Sequence, residues 1–105
     1  MTFKVRLARD AEADLDRLFD FVVERELAGD SGDLDLPEQA ITALRAGIAT
    51  LKSSPFTCRK AGNSPFLREL VIPSERSSYV ALFEIEDEST VSVVAVRHHR
   101  EDDYH

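Results

Sequence analysis

Residues 78–98, SYVALFEIEDESTVSVVAVRH, decide the fold of this chain. Two runs rich in Val, Ile, Phe and Tyr, residue types that favour β-strands, are separated by the tight polar turn EDES. This arrangement predicts that the two runs pair as an antiparallel hairpin. Both runs carry apolar residues on both faces. A single layer of helices covers only one face of a sheet, so the second apolar face is a surplus. The surplus is either additional core or a surface on which a partner segment lies.

The residues before this hairpin predict one strand and two helices. The stretch TFKVRLA within residues 1–8 alternates apolar and polar residues, the period of a strand with one buried face. From Asp10 onward the apolar residues recur with the helical period, which predicts a helix over 10–28. A second helix is expected over 37–53. Gly47 inside it predicts close approach of the first helix, because glycine is otherwise unfavourable in a helix interior.

One more strand precedes the hairpin. It reads FLRELVI, so residues 66–98 are expected to hold three strands, with residues 99–105 as a polar tail. The order β-α-α-β-β-β predicts an α+β fold in which a helical hairpin packs on one face of a small, mainly antiparallel sheet. A chain of 105 residues has room for one such domain, residues 1–105.

Composition and charge restrict the environments and partners of the chain. A net charge of −7 makes the protein poorly suited to general attraction by nucleic acid, and no sequence-specific nucleic-acid binding by the chain alone is expected. No apolar run approaches the roughly 20 residues of a membrane helix, and the start lacks the apolar segment of a signal peptide. We therefore expect a cytoplasmic protein without a membrane contact. The single cysteine, Cys58, fits a reducing compartment and is interpreted as a small loop residue.

Four segments, taken in order, carry a resemblance to a known family. They are LARDAEADLDRLFDFV, LKSSPF, LRELVIP and YVALFEIEDESTVSVVAVRHHREDDYH, and the match covers nearly the whole chain. In their order and spacing they resemble the ParE/RelE superfamily of toxins from type II toxin–antitoxin systems, and within it the ParE-like, plasmid stabilisation branch. The resemblance implies a small toxin that a cognate ParD-like antitoxin neutralises in a hetero-oligomer.

The superfamily has two kinds of target, between which fold alone does not choose. ParE-like toxins block DNA gyrase and so replication, whereas RelE-like toxins cut mRNA in the ribosome. RNA cleavage needs a base, an acid and cations that converge on one phosphate. The strand that typically offers a cation in RelE-like enzymes reads SSYVALF here, and the loop KAGNSP has no carboxylate. Gyrase inhibition by protein binding, with no catalytic residue and no cofactor, is therefore the favoured hypothesis.

Two alternatives stay open beside gyrase inhibition. One is a ribosome-dependent mRNA endoribonuclease, and the other is an inactive homologue that only binds its antitoxin. The groups compatible with a nuclease are Arg68, Arg97, His98, His99 and Tyr104.

The polar end of the chain is interpreted as a recognition edge. His98 and His99 are neighbours at a strand end, so their side chains point to opposite faces, and no metal site is predicted. In ParE-like toxins the last strand and the residues after it are implicated in toxicity. The resemblance therefore implies target binding by Arg97, His98, His99 and Arg100. A solvated, frayed end is the alternative interpretation.

The antitoxin is expected to contact outer apolar positions together with the basic middle of the chain. Residues 52–76 hold five basic and two acidic side chains inside an otherwise acidic protein. The candidate contacts are Leu18, Val22, Leu44, Arg59, Lys60, Arg68, Leu70, Arg76, Val80, Leu82 and Val94.

Overall fold

The structure, a computed structural model, describes residues 2–28, 36–62, 64–73 and 78–98. No helix within these ranges is long and apolar enough to cross a membrane. In chain order the elements are β1 (Lys4–Leu7), α1 (Arg9–Ala28), α2 (Leu36–Ala49), two 3-10 turns (Thr50–Lys52 and Pro55–Thr57), β2 (Arg59–Lys60), β3 (Leu67–Pro73), β4 (Ser78–Ile85) and β5 (Thr90–His98).

The strands form one five-stranded sheet in the order β1-β5-β4-β3-β2. β1 runs parallel to β5, and the neighbouring pairs from β5 to β2 are antiparallel. β4 and β5 form the expected hairpin, with Tyr79 opposite His98 and Ile85 opposite Val91. The two helices and the mainly antiparallel sheet confirm the predicted fold class. The two-residue strand β2 was not predicted, because so short a segment has no periodicity to detect.

Both helices lie on one face of the sheet, which we call the inner face. α1 packs against β5 and α2, and α2 packs against β3. The helices and the inner face share one core, which includes Leu15, Leu18, Leu44, Ile48, Leu51, Tyr79, Ala81, Phe83, Ile85, Val91, Val93 and Val96. The side chains that alternate with these along β3, β4 and β5 belong to the opposite, outer face.

A bulge in β5 changes which residues reach the core. Leu82 lies opposite Ala95 while Phe83 lies opposite Val93, so Val94 is an extra residue in the ladder. Strict alternation would point Val93 and Val96 to opposite faces, yet both are fully buried in the core. The bulge therefore accounts for part of the apolar surplus that this segment shows in the sequence.

The second helix differs from its prediction in two respects. It ends at Ala49, earlier than the expected Ser53, and the chain continues in a 3-10 turn. The hydroxyl of Thr50 donates to the carbonyl of Gly47 at 2.6 Å, a local side-chain bond that competes with helix continuation. The expected contact of Gly47 with the first helix is wrong. A Cβ on Gly47 would lie 2.8 Å from Cγ1 of Ile72, so this close approach is to β3.

Candidate partner-binding site

Arg68 is partly buried and is held in place by backbone carbonyl groups. Its Nη1 donates to the carbonyl oxygens of Phe56 at 3.0 Å and Cys58 at 2.8 Å, and its Nε donates to that of Pro65 at 3.0 Å. The guanidinium also lies over the Phe56 ring, 5.3 Å from the centroid. Arg68 thus ties the segment after α2 to the start of β3, which is a structural role that sequence reasoning missed.

The other basic residues of the middle segment are arranged differently. Arg59 forms an ion pair with Glu69, with 2.8 Å between Nε and Oε1, across the β2–β3 ladder. Lys60 is exposed at the same sheet edge. Arg76 lies outside the described residues. Arg59, opposite Glu69, therefore lies on the outer-face side of this edge, whereas Lys60, opposite Arg68, lies on its inner-face side.

Cys58 lies next to Arg68 and is half-buried. Burial raises the pKa of its thiol, and the positive charge of Arg68 partly opposes that rise. A raised pKa keeps the thiol protonated at neutral pH, which is the opposite of what a thiolate nucleophile requires. The interpretation of Cys58 as a structural residue of this loop agrees with that chemistry.

The end of β5 presents two side chains to opposite faces of the sheet. Arg97 is exposed and lies opposite Val80, on the outer face. His98 lies opposite Tyr79 on the inner face, its ring 5.5 Å from the ring of Tyr79 and 6.4 Å from that of Phe21. His98 is therefore packed between a strand and α1. The remaining tail candidates lie outside the described residues: His99, Arg100 and Tyr104.

The described candidates for a nuclease do not converge. Arg68 on β3 lies opposite Phe83 of β4, and His98 on β5 lies opposite Tyr79 of β4. Phe83 and Tyr79 are four residues apart along β4. That register separates Arg68 from His98 by about 13 Å along the strands and about 10 Å across the sheet. Arg97 points to the other face. Groups that act on a single phosphate must lie within hydrogen-bonding reach of it.

No group of three or more His, Cys, Asp or Glu residues in the described part of the chain has the arrangement of a metal site.

The apolar candidates for antitoxin contact divide between core and surface. Leu18, Val22, Leu44 and Val80 are at most 4% exposed, so a partner cannot reach them on the folded chain. Leu70 packs against the core on the inner face. Leu18 and Leu44 are buried in the core that the helices share with the sheet, whereas Val80 is buried on the outer face. The apolar pattern of the sequence did not distinguish these buried positions from exposed ones.

The apolar antitoxin candidates that remain accessible lie on the outer face of the sheet. Leu82 is partly buried there, and Val94 is the partly buried bulge residue. Val71, which sequence reasoning missed, is 40% exposed and lies opposite Val80. The outer face therefore combines an apolar centre with Arg97 on one side and Arg59 at the β2 edge on the other, and Lys60 is exposed at that same edge.

A partly buried contact between α1 and β5 was also missed from the sequence. β1 pairs with β5 only as far as Val93, because the chain turns at Ala8 into α1. The carboxylate of Asp14 accepts a hydrogen bond from the backbone N–H of Val96, with 2.9 Å between Oδ2 and N. A side chain of α1 thus supplies the hydrogen-bond acceptor for β5 beyond the point where β1 ends.

The fold and the outer face define the class of protein. A helical hairpin covers one face of a small, mainly antiparallel sheet, and the other face carries exposed apolar and basic residues, so the chain is a small α+β domain with one sheet face open to a partner.

Comparison with known proteins specifies the family. Residues 5–103 match the model of the ParE toxin of type II toxin–antitoxin systems, and the chain belongs to that family. It also resembles a chain of the chromosomal ParDE toxin–antitoxin system from P. aeruginosa, with a TM-score of 0.69 and 17% identity over 92% of this chain and 96% of that one. At that identity the likeness supports the fold. No curated protein matches the chain.

Proposed function

We propose that this ParE-family toxin inhibits DNA gyrase, and thereby replication, by binding it in the cytoplasm. The observation that carries the proposal is the separation of Arg68, Arg97 and His98, because the nuclease candidates in the described part of the chain do not converge on one point. A toxin that acts by protein contact needs an exposed recognition surface and no reaction centre. The family relationship supplies the type II toxin assignment on which the proposal is built.

The proposed gyrase contact is the end of β5 together with the residues after it. Arg97 is exposed there, and a guanidinium can bind carboxylates with two parallel hydrogen bonds. His98 packs against Tyr79 and Phe21, so we assign it the task of holding this strand end against α1. His99 and Arg100 complete the proposed contact set.

The proposed antitoxin contact is the outer face of the sheet together with the β2 edge beside it. Val71, Leu82 and Val94 offer apolar area, and Lys60 offers a cation at the edge. Arg59 already pairs with Glu69, and Arg68 already binds three carbonyl groups. We therefore expect Lys60 to contribute more than those two arginines to attraction of an acidic antitoxin segment.

The first test is expression of the chain in a bacterial host without antitoxin. Labelled thymidine and labelled methionine are followed over the first minutes. If gyrase is the target, thymidine incorporation stops first while methionine incorporation continues. Prompt loss of methionine incorporation would reject gyrase and favour mRNA cleavage. Growth unaffected at a verified level of folded protein would favour an inactive antitoxin-binding homologue.

The second test uses purified protein in a gyrase supercoiling assay. The variant Arg97→Glu should raise the concentration for half-inhibition at least about tenfold, because it reverses the charge at the proposed contact. The matched control is Arg45→Glu, a charge reversal at an exposed position of α2. Equal inhibition by both variants would remove Arg97 from the proposed contact.

A further inference from the structure

An open apolar pocket lies at the end of the sheet where β5 begins. It has a volume of about 620 Å³ and is lined by Phe3, Phe56, Phe66, Ile85, Glu86, Asp87 and Glu88. Phe56 and Phe66 are 54% and 53% exposed, which is unusual for aromatic rings in so small a domain. The nine residues of β5 place this pocket about 26 Å from the proposed gyrase contact.

The walls of the pocket are held in place by backbone hydrogen bonds. The N–H of Phe3 donates to the carbonyl of Lys52 at 2.6 Å, and that of Ile85 donates to the carbonyl of Phe66 at 2.8 Å. The rings of Phe3 and Phe56 pack edge to face, with centroids 6.2 Å apart. The pocket is therefore preformed, which lowers the entropy lost when a ligand binds.

The mouth of the pocket is acidic. Glu86, Asp87 and Glu88 follow one another in the β4–β5 turn. Hydrogen bonds from the N–H and hydroxyl of Ser89 lower the pKa of Asp87, so its carboxylate stays ionised well below neutral pH. Arg6 approaches Glu86 at 3.7 Å, but both side chains are exposed and such a pair is weak in water. Negative charge therefore predominates at the mouth.

We propose that this pocket docks a segment of a partner protein that carries a large apolar side chain next to a lysine or arginine. The phenylalanine walls bury the apolar side chain, and the acidic turn attracts the cation. A small-molecule site normally encloses most of its ligand, whereas half of each of two wall rings here faces solvent. The open mouth suits one anchoring side chain of a longer chain. This contact is separate from the proposed gyrase function.

The proposal is tested by titrating the ¹⁵N-labelled full-length chain with three peptides and one amine, monitored by NMR. The peptide GSKFRSG carries the anchor and the cations, GSEFESG reverses the charges, and GSKGRSG lacks the anchor. Only GSKFRSG is expected to shift the amide signals of Phe3, Phe66 and residues 85–88. Equal binding of GSEFESG or GSKGRSG would overturn the proposal, and so would phenethylamine binding as tightly as GSKFRSG.

Variants separate the two parts of the pocket. Phe66→Ser removes a wall, and the pair Glu86→Gln and Glu88→Gln neutralises the mouth without touching the Asp87 turn. Each should weaken GSKFRSG binding by about tenfold or more.

The matched controls lie on α1 at exposed positions, Phe19→Ser and Glu24→Gln, and should bind like the parent chain. If the double variant Glu86→Gln, Glu88→Gln binds GSKFRSG as tightly as the parent chain does, the proposal fails. This test does not depend on whether Phe66→Ser folds.

Discussion

At the residue scale, Asp14 shows how one side chain completes a sheet. Its carboxylate binds the N–H of Val96 at the point where β1 no longer pairs with β5. A buried backbone donor without a partner is costly, so this bond stabilises both the position of α1 and the bulged part of β5. Nothing in the helical pattern around Asp14 distinguishes it from the other acidic residues of α1, because its partner is distant in sequence.

Replacing Asp14 with alanine should lower the free energy of unfolding by about 1–3 kcal/mol, because the Val96 donor loses its acceptor. Asp14→Asn keeps an oxygen acceptor and should lose less. Urea unfolding monitored by circular dichroism measures the difference. The control is Asp16→Ala, an exposed acid on the same helix, which should change the stability by less than about 0.5 kcal/mol. Equal losses for Asp14→Ala and Asp16→Ala would contradict this role.

Arg68 is the second residue whose role depends on distant partners. Arg68→Met removes three charge-assisted hydrogen bonds to carbonyl groups and should lower the free energy of unfolding by about 2–3 kcal/mol. Arg59→Met removes only an ion pair whose arginine is half exposed, and should cost less than about 1 kcal/mol. Thermal and urea unfolding of the two variants give the comparison. The same midpoint for both would show that Arg68 is not a structural anchor.

At the element scale, α2 is shaped by the strand on which it packs. Glycine costs a helix about 1 kcal/mol relative to alanine, and an exposed helix position would gain from its replacement. Gly47 is retained in contact with β3, where the side chain of Ile72 occupies the space that a methyl group would need. Close helix–sheet packing therefore opposes helix propensity at this position.

Gly47→Ala should destabilise the protein by about 1 kcal/mol, because overpacking against Ile72 exceeds the gain in helix propensity. At the neighbouring exposed position, Ala46→Gly should lose about 1 kcal/mol from propensity alone. Chemical unfolding measures both. A gain in stability for Gly47→Ala would mean that Ile72 moves aside without loss.

The strands of the hairpin illustrate what periodicity can and cannot predict. The two runs of residues 78–98 indicate strands strongly enough to place β4 and β5, and the turn between them sets their pairing. The bulge at Val94 was not predictable, because it depends on which valines fit beneath α1. Likewise, the helical stripe predicted the apolar faces but assigned Leu18 and Leu44 to a partner, whereas the sheet already buries them.

At the scale of the whole molecule, the sheet has two different faces. One holds the helices and the core, and the other carries Val71, Leu82 and Arg97. A chain with a net charge of −7 that keeps basic groups beside an apolar surface is suited to a partner with complementary charges. The acidic pocket lies at the other end of β5 from Arg97, and the partner segment proposed for it carries positive charge.

Val71→Asp should weaken binding to the proposed cognate antitoxin by at least about tenfold, because it places a charge in the apolar centre of the outer face. Leu27→Asp, at an apolar residue of α1 that is 67% exposed, is the matched control and should bind normally. Isothermal titration calorimetry measures both affinities. Weaker binding only for Leu27→Asp would move the proposed contact from the sheet to the helix.

The sequence by itself determined the class of fold and the β4–β5 hairpin, because strand and helix periods and short turns are local properties of the chain. The family followed from the order and spacing of four segments that resemble its members. The tertiary structure decided the roles of Asp14, Gly47 and Arg68 and the burial of Leu18, because each depends on a residue or backbone group far away in sequence. It also decided that Arg97 and His98 face opposite sides of the sheet and that three phenylalanines meet beside one acidic turn. Side chains from distant segments come together only when those segments pack against one another. The local period of apolar residues does not specify which distant segments meet.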